Sequence, residues 1–146
     1  MAAPPRRSEP YVDLSPDQCG TILAQQSIGR IAWTAADGPQ LFPVSYWWND
    51  GLVIFRTSPY GVLSELVRRT DVVFEVDDLD PSTKVGGSVI LHGTAEGMAS
   101  PESLTTPFAA ALPWTGGDRH LIIGIRPRSI TGRWFGRPTR LLDGQR

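Results

Sequence analysis

The sequence predicts a mainly β domain with short helices, a small barrel of six or seven mostly antiparallel strands. Three observations carry that expectation. Short runs rich in β-branched and aromatic residues are separated by turn clusters, as in Ile31 to Trp33, Leu41 to Trp48 and Leu52 to Phe55. The connections Ala36-Asp37-Gly38-Pro39 and Asn49-Asp50-Gly51 are hairpin turns, too short for the crossover that a parallel doubly wound sheet needs. Helical starts are few and brief, and a closed barrel is how such a strand set protects its edges.

The elements follow in order. Residues 1–12 are Pro- and Ala-rich with little to bury, so they are expected as a disordered leader before a single domain over residues 13–146. Ser15-Pro16-Asp17-Gln18 is a helix start, with Ser as N-cap, Pro at the first helical position and Gln as capping-box partner. That helix is expected to reach about Gln26 and to bury Cys19, Ile22 and Leu23. The three strands follow, then a helix at about Gly61 to Arg69. Asp71–Val76 is a fourth strand, Asp77–Lys84 a polar loop, and Gly87–Gly97 a fifth strand with a bulge expected at Gly93. Ser100-Pro101-Glu102 opens another helix to about Ala111, and Pro113–Gly117 is a loop. Arg119–Arg126 is a sixth strand, continued by Ser129–Phe135 beyond Pro127. The tail from Arg137 is polar apart from Leu141 and Leu142, and the chain holds no internal repeat.

Composition narrows the function. At 146 residues the chain can bury a real core without staples. A net charge of -1 disfavours nucleic acid as the main partner. No apolar run approaches the roughly 20 residues that span a bilayer, and Arg6 and Arg7 are followed by no apolar core of the signal-peptide kind. With one cysteine, Cys19, an internal disulfide is impossible and a structural zinc site is disfavoured. A cytoplasmic location is expected.

Arg56-Thr57-Ser58 places a guanidinium and two hydroxyls between a strand end and a helix start. A helix start adds free backbone N–H groups, so this is a candidate phosphate cradle; the hydroxyls can equally cap the following turn. Trp47 and Trp48, adjacent in a strand, face opposite sides. One of them is therefore exposed unless a partner covers it, and with the apolar stretch Leu121–Ile125 it points to a dimer. His92 and His120 sit in apolar strands and read as core or interface residues. Cys19 reads as a small buried hydrophobe. Asp77-Asp78-Leu79-Asp80 lacks the Gly and terminal Glu of a calcium loop and reads as a solvated turn. No Ser-His-Asp, Cys-His or paired-carboxylate arrangement stands out.

Taken together, Gly29-Arg30-Ile31-Ala32, Pro43-Val44-Ser45-Tyr46, Phe55-Arg56-Thr57-Ser58, Phe74 to Asp80, Ser88-Val89 with Gly93, and Ile130-Thr131-Gly132-Arg133 resemble one family in order and spacing. It is the pyridoxamine 5′-phosphate oxidase-like family of FMN-binding split β-barrel flavoproteins, and the resemblance covers roughly residues 14–135. It implies a homodimer with two flavins in grooves between subunits. Pro43, Val44 and Ser45 would line the isoalloxazine ring, and Arg56, Thr57 and Ser58 would hold the phosphate, with Val62 and Leu63 beside them. Ser88 would approach the ring, and Trp134 falls where a partner subunit covers the cofactor. Two positions depart from the family pattern: Val62 stands where a phosphate-neutralising Lys is usual, and Gly87 where many relatives have Trp.

The expected function is therefore an FMN-dependent oxidoreductase moving two electrons to or from a small organic substrate, in which the cofactor supplies the chemistry. Oxidation of pyridoxamine phosphate itself would require a second basic cluster, and only Arg133 and Arg137 offer one. The alternatives are a deazaflavin-dependent reductase and a barrel that has lost flavin to become a ligand-binding or interaction module. Haem, with His92 or His120 as axial ligand, is a remote further option.

Overall fold

The computed structural model of the chain describes residues 11–98 and 121–136. The expected helix at Ser100, the loop at Pro113, His120 and the polar tail lie outside those residues, as does 1–10. Helix α1 spans Pro16–Gln25 and begins as its sequence dictates. Ser15 Oγ accepts from the Gln18 N–H at 3.2 Å, and the Ser15 N–H donates to Gln18 Oε1 at 2.8 Å, a complete capping box. Its apolar side, Cys19, Ile22 and Leu23, is buried.

Eight strands are present among the described residues: β1 Tyr11–Asp13, β2 Ile28–Ala35, β3 Gly38–Ser45, β4 Trp47–Asn49, β5 Leu52–Thr57, β6 Thr70–Asp80, β7 Val85–Gly97 and β8 Leu121–Phe135. All pair antiparallel, in the order β3-β2-β6-β7-β8-β5-β4, with β1 added to β8. The sheet curls into a split barrel around one core built from Ile31, Phe55, Phe74, Leu91, Ile123 and Ile125, with α1 packed over it.

Several expectations change. Leu41 to Trp48 is two strands, not one. Tyr46 breaks the run: its N–H donates to the Ser27 carbonyl at 3.0 Å and its hydroxyl to the buried Leu23 carbonyl at 2.6 Å. Its ring meets Phe74 edge-on at 5.0 Å. That anchoring turns the chain from β3, at one end of the sheet path, to β4 at the other. Tyr11 and Val12, expected in the leader, pair with Phe135 and Trp134. The Arg133 guanidinium covers the Tyr11 ring at 4.8 Å and holds that edge.

The polar stretch Asp77–Asp80 is strand, because β7 supplies a partner as far as Val85, while Asp78, Leu79 and Asp80 have no second strand beside them and stay wet. The turn that follows is held by Asp80, whose Oδ1 accepts from the Ser82 N–H at 2.9 Å and the Ser82 hydroxyl at 2.7 Å. In place of the α-helix at 61–69 there is a 3₁₀ turn, Val62–Val67. The three-residue spacing of Leu63 and Leu66 suits that tighter winding, and both side chains pack on the core. The bulge falls at Gly93 as expected. A Cβ there would stand 2.3 Å from the Arg126 carbonyl oxygen, so only glycine fits.

Candidate functional site

The ten expected cofactor positions divide by strand alternation. On the outer face stand Pro43 and Ser45 of β3, Arg56 of β5 and Ser88 of β7. On the inner face stand Val44, Thr57 and Trp134, all buried within the chain, and Leu63 leans on the same core. Val62 is exposed at the start of the 3₁₀ turn. A ligand on the outer surface therefore meets the side chains of the first group, and meets Val44 and Thr57 only through their backbone.

At the end of β5 the half-buried Arg56 stands opposite Ile122 of β8. Ser58 Oγ accepts from the Tyr60 N–H at 3.2 Å, and the Ser58 carbonyl accepts from the Gly61 N–H at 3.3 Å. The Ser58 hydroxyl proton remains available to a ligand, so a cation and a hydroxyl flank one turn. These groups fit a phosphate ester. A six-residue 3₁₀ turn adds little dipole, so Arg56 carries the charge.

Sequence reasoning missed the charged row in the middle of the outer face. Pro43 stands opposite Arg30, Arg30 opposite Glu75, and Glu75 opposite Ile90. Arg30 Nη1 lies 3.5 Å from Glu75 and 3.6 Å from Asp77. Burial, followed by a hydrogen bond and repulsion from Asp77, pushes the Glu75 carboxyl up to about 7, against the smaller pull of Arg30. The signal was a charge at every second position of Glu75-Val76-Asp77, which marks a strand with one wet face rather than a loop.

The other candidates resolve plainly. His92 is exposed on the outer face opposite Ser129, so it is not a core residue. Trp47 and Trp48 do face opposite sides: Trp48 packs on the main core, and Trp47 on Ile54 and Ile122. Neither is fully exposed, and Ile122 to Ile125 is buried within the chain itself. The large apolar side chains left wet on the outer face are instead Ile28, Leu41, Leu79 and Ile90, at 38–64 % exposure. Burial raises the Cys19 thiol above its ordinary value, as expected of a packed sulfur. Among the described residues no three His, Cys, Asp or Glu side chains are placed to hold a metal.

Comparison with known proteins agrees with the fold. A protein of Mycobacterium tuberculosis, the uncharacterized Rv0080, is 32 % identical over 135 residues, covering 89 % of each chain. The FAD binding protein of Mycobacterium smegmatis superposes with a TM-score of 0.69 at 26 % identity, covering 87 % of this chain and all of that one. A Corynebacterium glutamicum protein named for pyridoxamine 5′-phosphate oxidase superposes with a TM-score of 0.71 at 26 % identity, covering 88 % of this chain and all of its own. The sequence model of the pyridoxamine 5′-phosphate oxidase family matches residues 15–134, from the N-cap of α1 to Trp134 in β8, and the chain belongs to that family.

Proposed function

We propose that the chain binds a flavin, FMN in the first instance, in a groove between two copies of itself, and uses it for two-electron transfer to or from a small organic substrate. The observation that carries this reading is the half-buried guanidinium of Arg56 next to the hydroxyl of Ser58 at the end of β5, in the same barrel as the Pro43–Ser45 strand. The FAD binding protein of M. smegmatis, at 26 % identity, supports flavin as a class and sets FAD beside FMN. A bound flavin supplies the electron chemistry, which accords with the lack of a catalytic side-chain set in the sequence. The second copy is argued from the outer sheet face, where Ile28, Leu41 and Ile90 surround the Arg30 row. His92, on that face, is an interface residue in this reading. No helix among the described residues is long and apolar enough to cross a membrane, and a cytoplasmic location forms part of the proposal.

The visible spectrum of the purified protein tests it, followed by denaturation and chromatography of any released cofactor to separate FMN from FAD. Flavin absorbance and a dimer by light scattering are the expected results. A colourless protein that takes up neither added FMN nor FAD overturns the reading. One observation favours the flavin-free alternative: Val62, beside the cradle, is 54 % exposed and brings no charge. Uptake of a deazaflavin in place of flavin would instead identify the reductase variant.

A further inference from the structure

At the bulge β8 carries one residue more than β7. Gly93 pairs with Pro127 and His92 with Ser129, which leaves Arg128 as the inserted residue. Bulges re-aim side chains, and this one turns Arg128 back over the outer face. Its Nη1 donates to Asp71 Oδ1 at 2.9 Å and to Thr94 Oγ1 at 3.1 Å, spanning β7 to reach β6. Asp71, Thr94 and Arg126 are successive cross-strand partners, so the bulged arginine is held over a row that ends in a second arginine. Arg69 and Glu96 complete a groove of about 270 Å³.

The charge balance points to an anion. Three guanidinium groups face two carboxylates in this groove, and one of the carboxylates, Asp71, is already engaged by Arg128. Glu96 is left against Arg69 and Arg126, so the groove keeps a net positive charge. Planar forked donors suit the oxygens of a phosphate, and Asp71 and Thr94 already orient Arg128 over the groove. Arg126 lies four residues along β8 from Ile122, the partner of Arg56, or about 13 Å at the usual rise of a strand. The groove is therefore separate from the end of β5.

We propose that this groove is an oxyanion site that takes the phosphate group of a small phosphorylated molecule. The proposal does not rest on flavin binding. Calorimetric titration of the full chain with inorganic phosphate and with pyrophosphate, in about 0.15 M salt to screen loose surface attraction, tests it. Saturable binding is expected, tighter for pyrophosphate. Arg126→Ala should weaken pyrophosphate at least about tenfold, the loss of one charge-assisted contact. Glu96→Gln should tighten it, since it removes the one carboxylate not already engaged by Arg128. Circular dichroism checks that each variant is folded. No saturable binding to the wild-type chain overturns the proposal, as does an affinity that neither Arg126→Ala nor Glu96→Gln changes. Loss with Arg56→Ala but not with Arg126→Ala places the anion at the end of β5 and overturns it as well.

Discussion

Trp134 and Gly87 share one volume. They are direct cross-strand partners, and the Cε3 of the indole lies 2.8 Å from where a Cβ on Gly87 would stand, with Ile22 Cδ1 at 3.2 Å. The indole fills the space in front of position 87 from the neighbouring strand, so the glycine leaves no hole. Gly87→Ala should therefore cost about 1–3 kcal/mol by overpacking. Combined with Trp134→Leu, the cost should be clearly less than the sum of the single changes, because the two residues compete for the same space. Urea denaturation of the three variants checks this, and strict additivity would refute the shared volume.

Position 62 gives a sharper test of the cradle. If Arg56 and Ser58 receive a flavin phosphate, Val62→Lys adds the missing cation and should tighten FMN by roughly 1.5 kcal/mol, while Arg56→Ala weakens it by a similar or larger amount. Flavin fluorescence titrations of wild type and both variants read the outcome. Three coincident curves would end the assignment.

Glu75 makes stability fall with pH. Its carboxyl is raised from 4.5 to about 7, by burial first and then by Asp77, so the folded chain binds a proton that the unfolded chain has already released. Its contribution is fully present below the unfolded value and is lost as pH rises through about 7. Glu75→Gln keeps a donor toward Asp77 and removes the titration. Thermal melts at about pH 5 and about pH 8 should then differ less than those of wild type. An unchanged difference would show that another group sets the slope.

Tyr46→Phe should destabilise the chain by about 1–3 kcal/mol, since it strips the Leu23 carbonyl of a buried donor without opening a large cavity. Chemical denaturation measures it. A cost near zero would mean that the hydroxyl is not what fixes the break between β3 and β4.

Local chemistry was legible in the sequence wherever one residue type has one strong preference. Ser15-Pro16 with Gln18 fixed the start of α1, Asn49-Asp50-Gly51 fixed a hairpin, and Gly93 marked the bulge. Tertiary choices were not legible. Nothing near Tyr46 announces that its hydroxyl will find the Leu23 carbonyl, so one extended run concealed two strands. Asp77–Asp80 looked like a loop because polarity was read without its partner strand. Within the candidate site, the order of residues located Arg56 and Ser58, whereas the inward turn of Thr57 and Trp134 follows from strand parity once the pairing is known. The arginine groove was hidden because Arg69 is far in sequence from Arg126 and Arg128, and because a single inserted residue brings Arg128 over the same face as Arg126.

The position of β8 bears on how the chain is made. Among the described residues it is the last strand to leave the ribosome, yet it lies between β7 and β5 and also receives β1. Until residue 121 has emerged, β5 and β7 each present an unpaired edge, and the nascent polypeptide holds two half-sheets, linked along the chain by Tyr46 and by the 3₁₀ segment between β5 and β6. Such edges invite pairing with other chains. Stalling translation just before β8 should thus yield a species that aggregates or recruits chaperones, and release of the final strand should close the barrel in one late step.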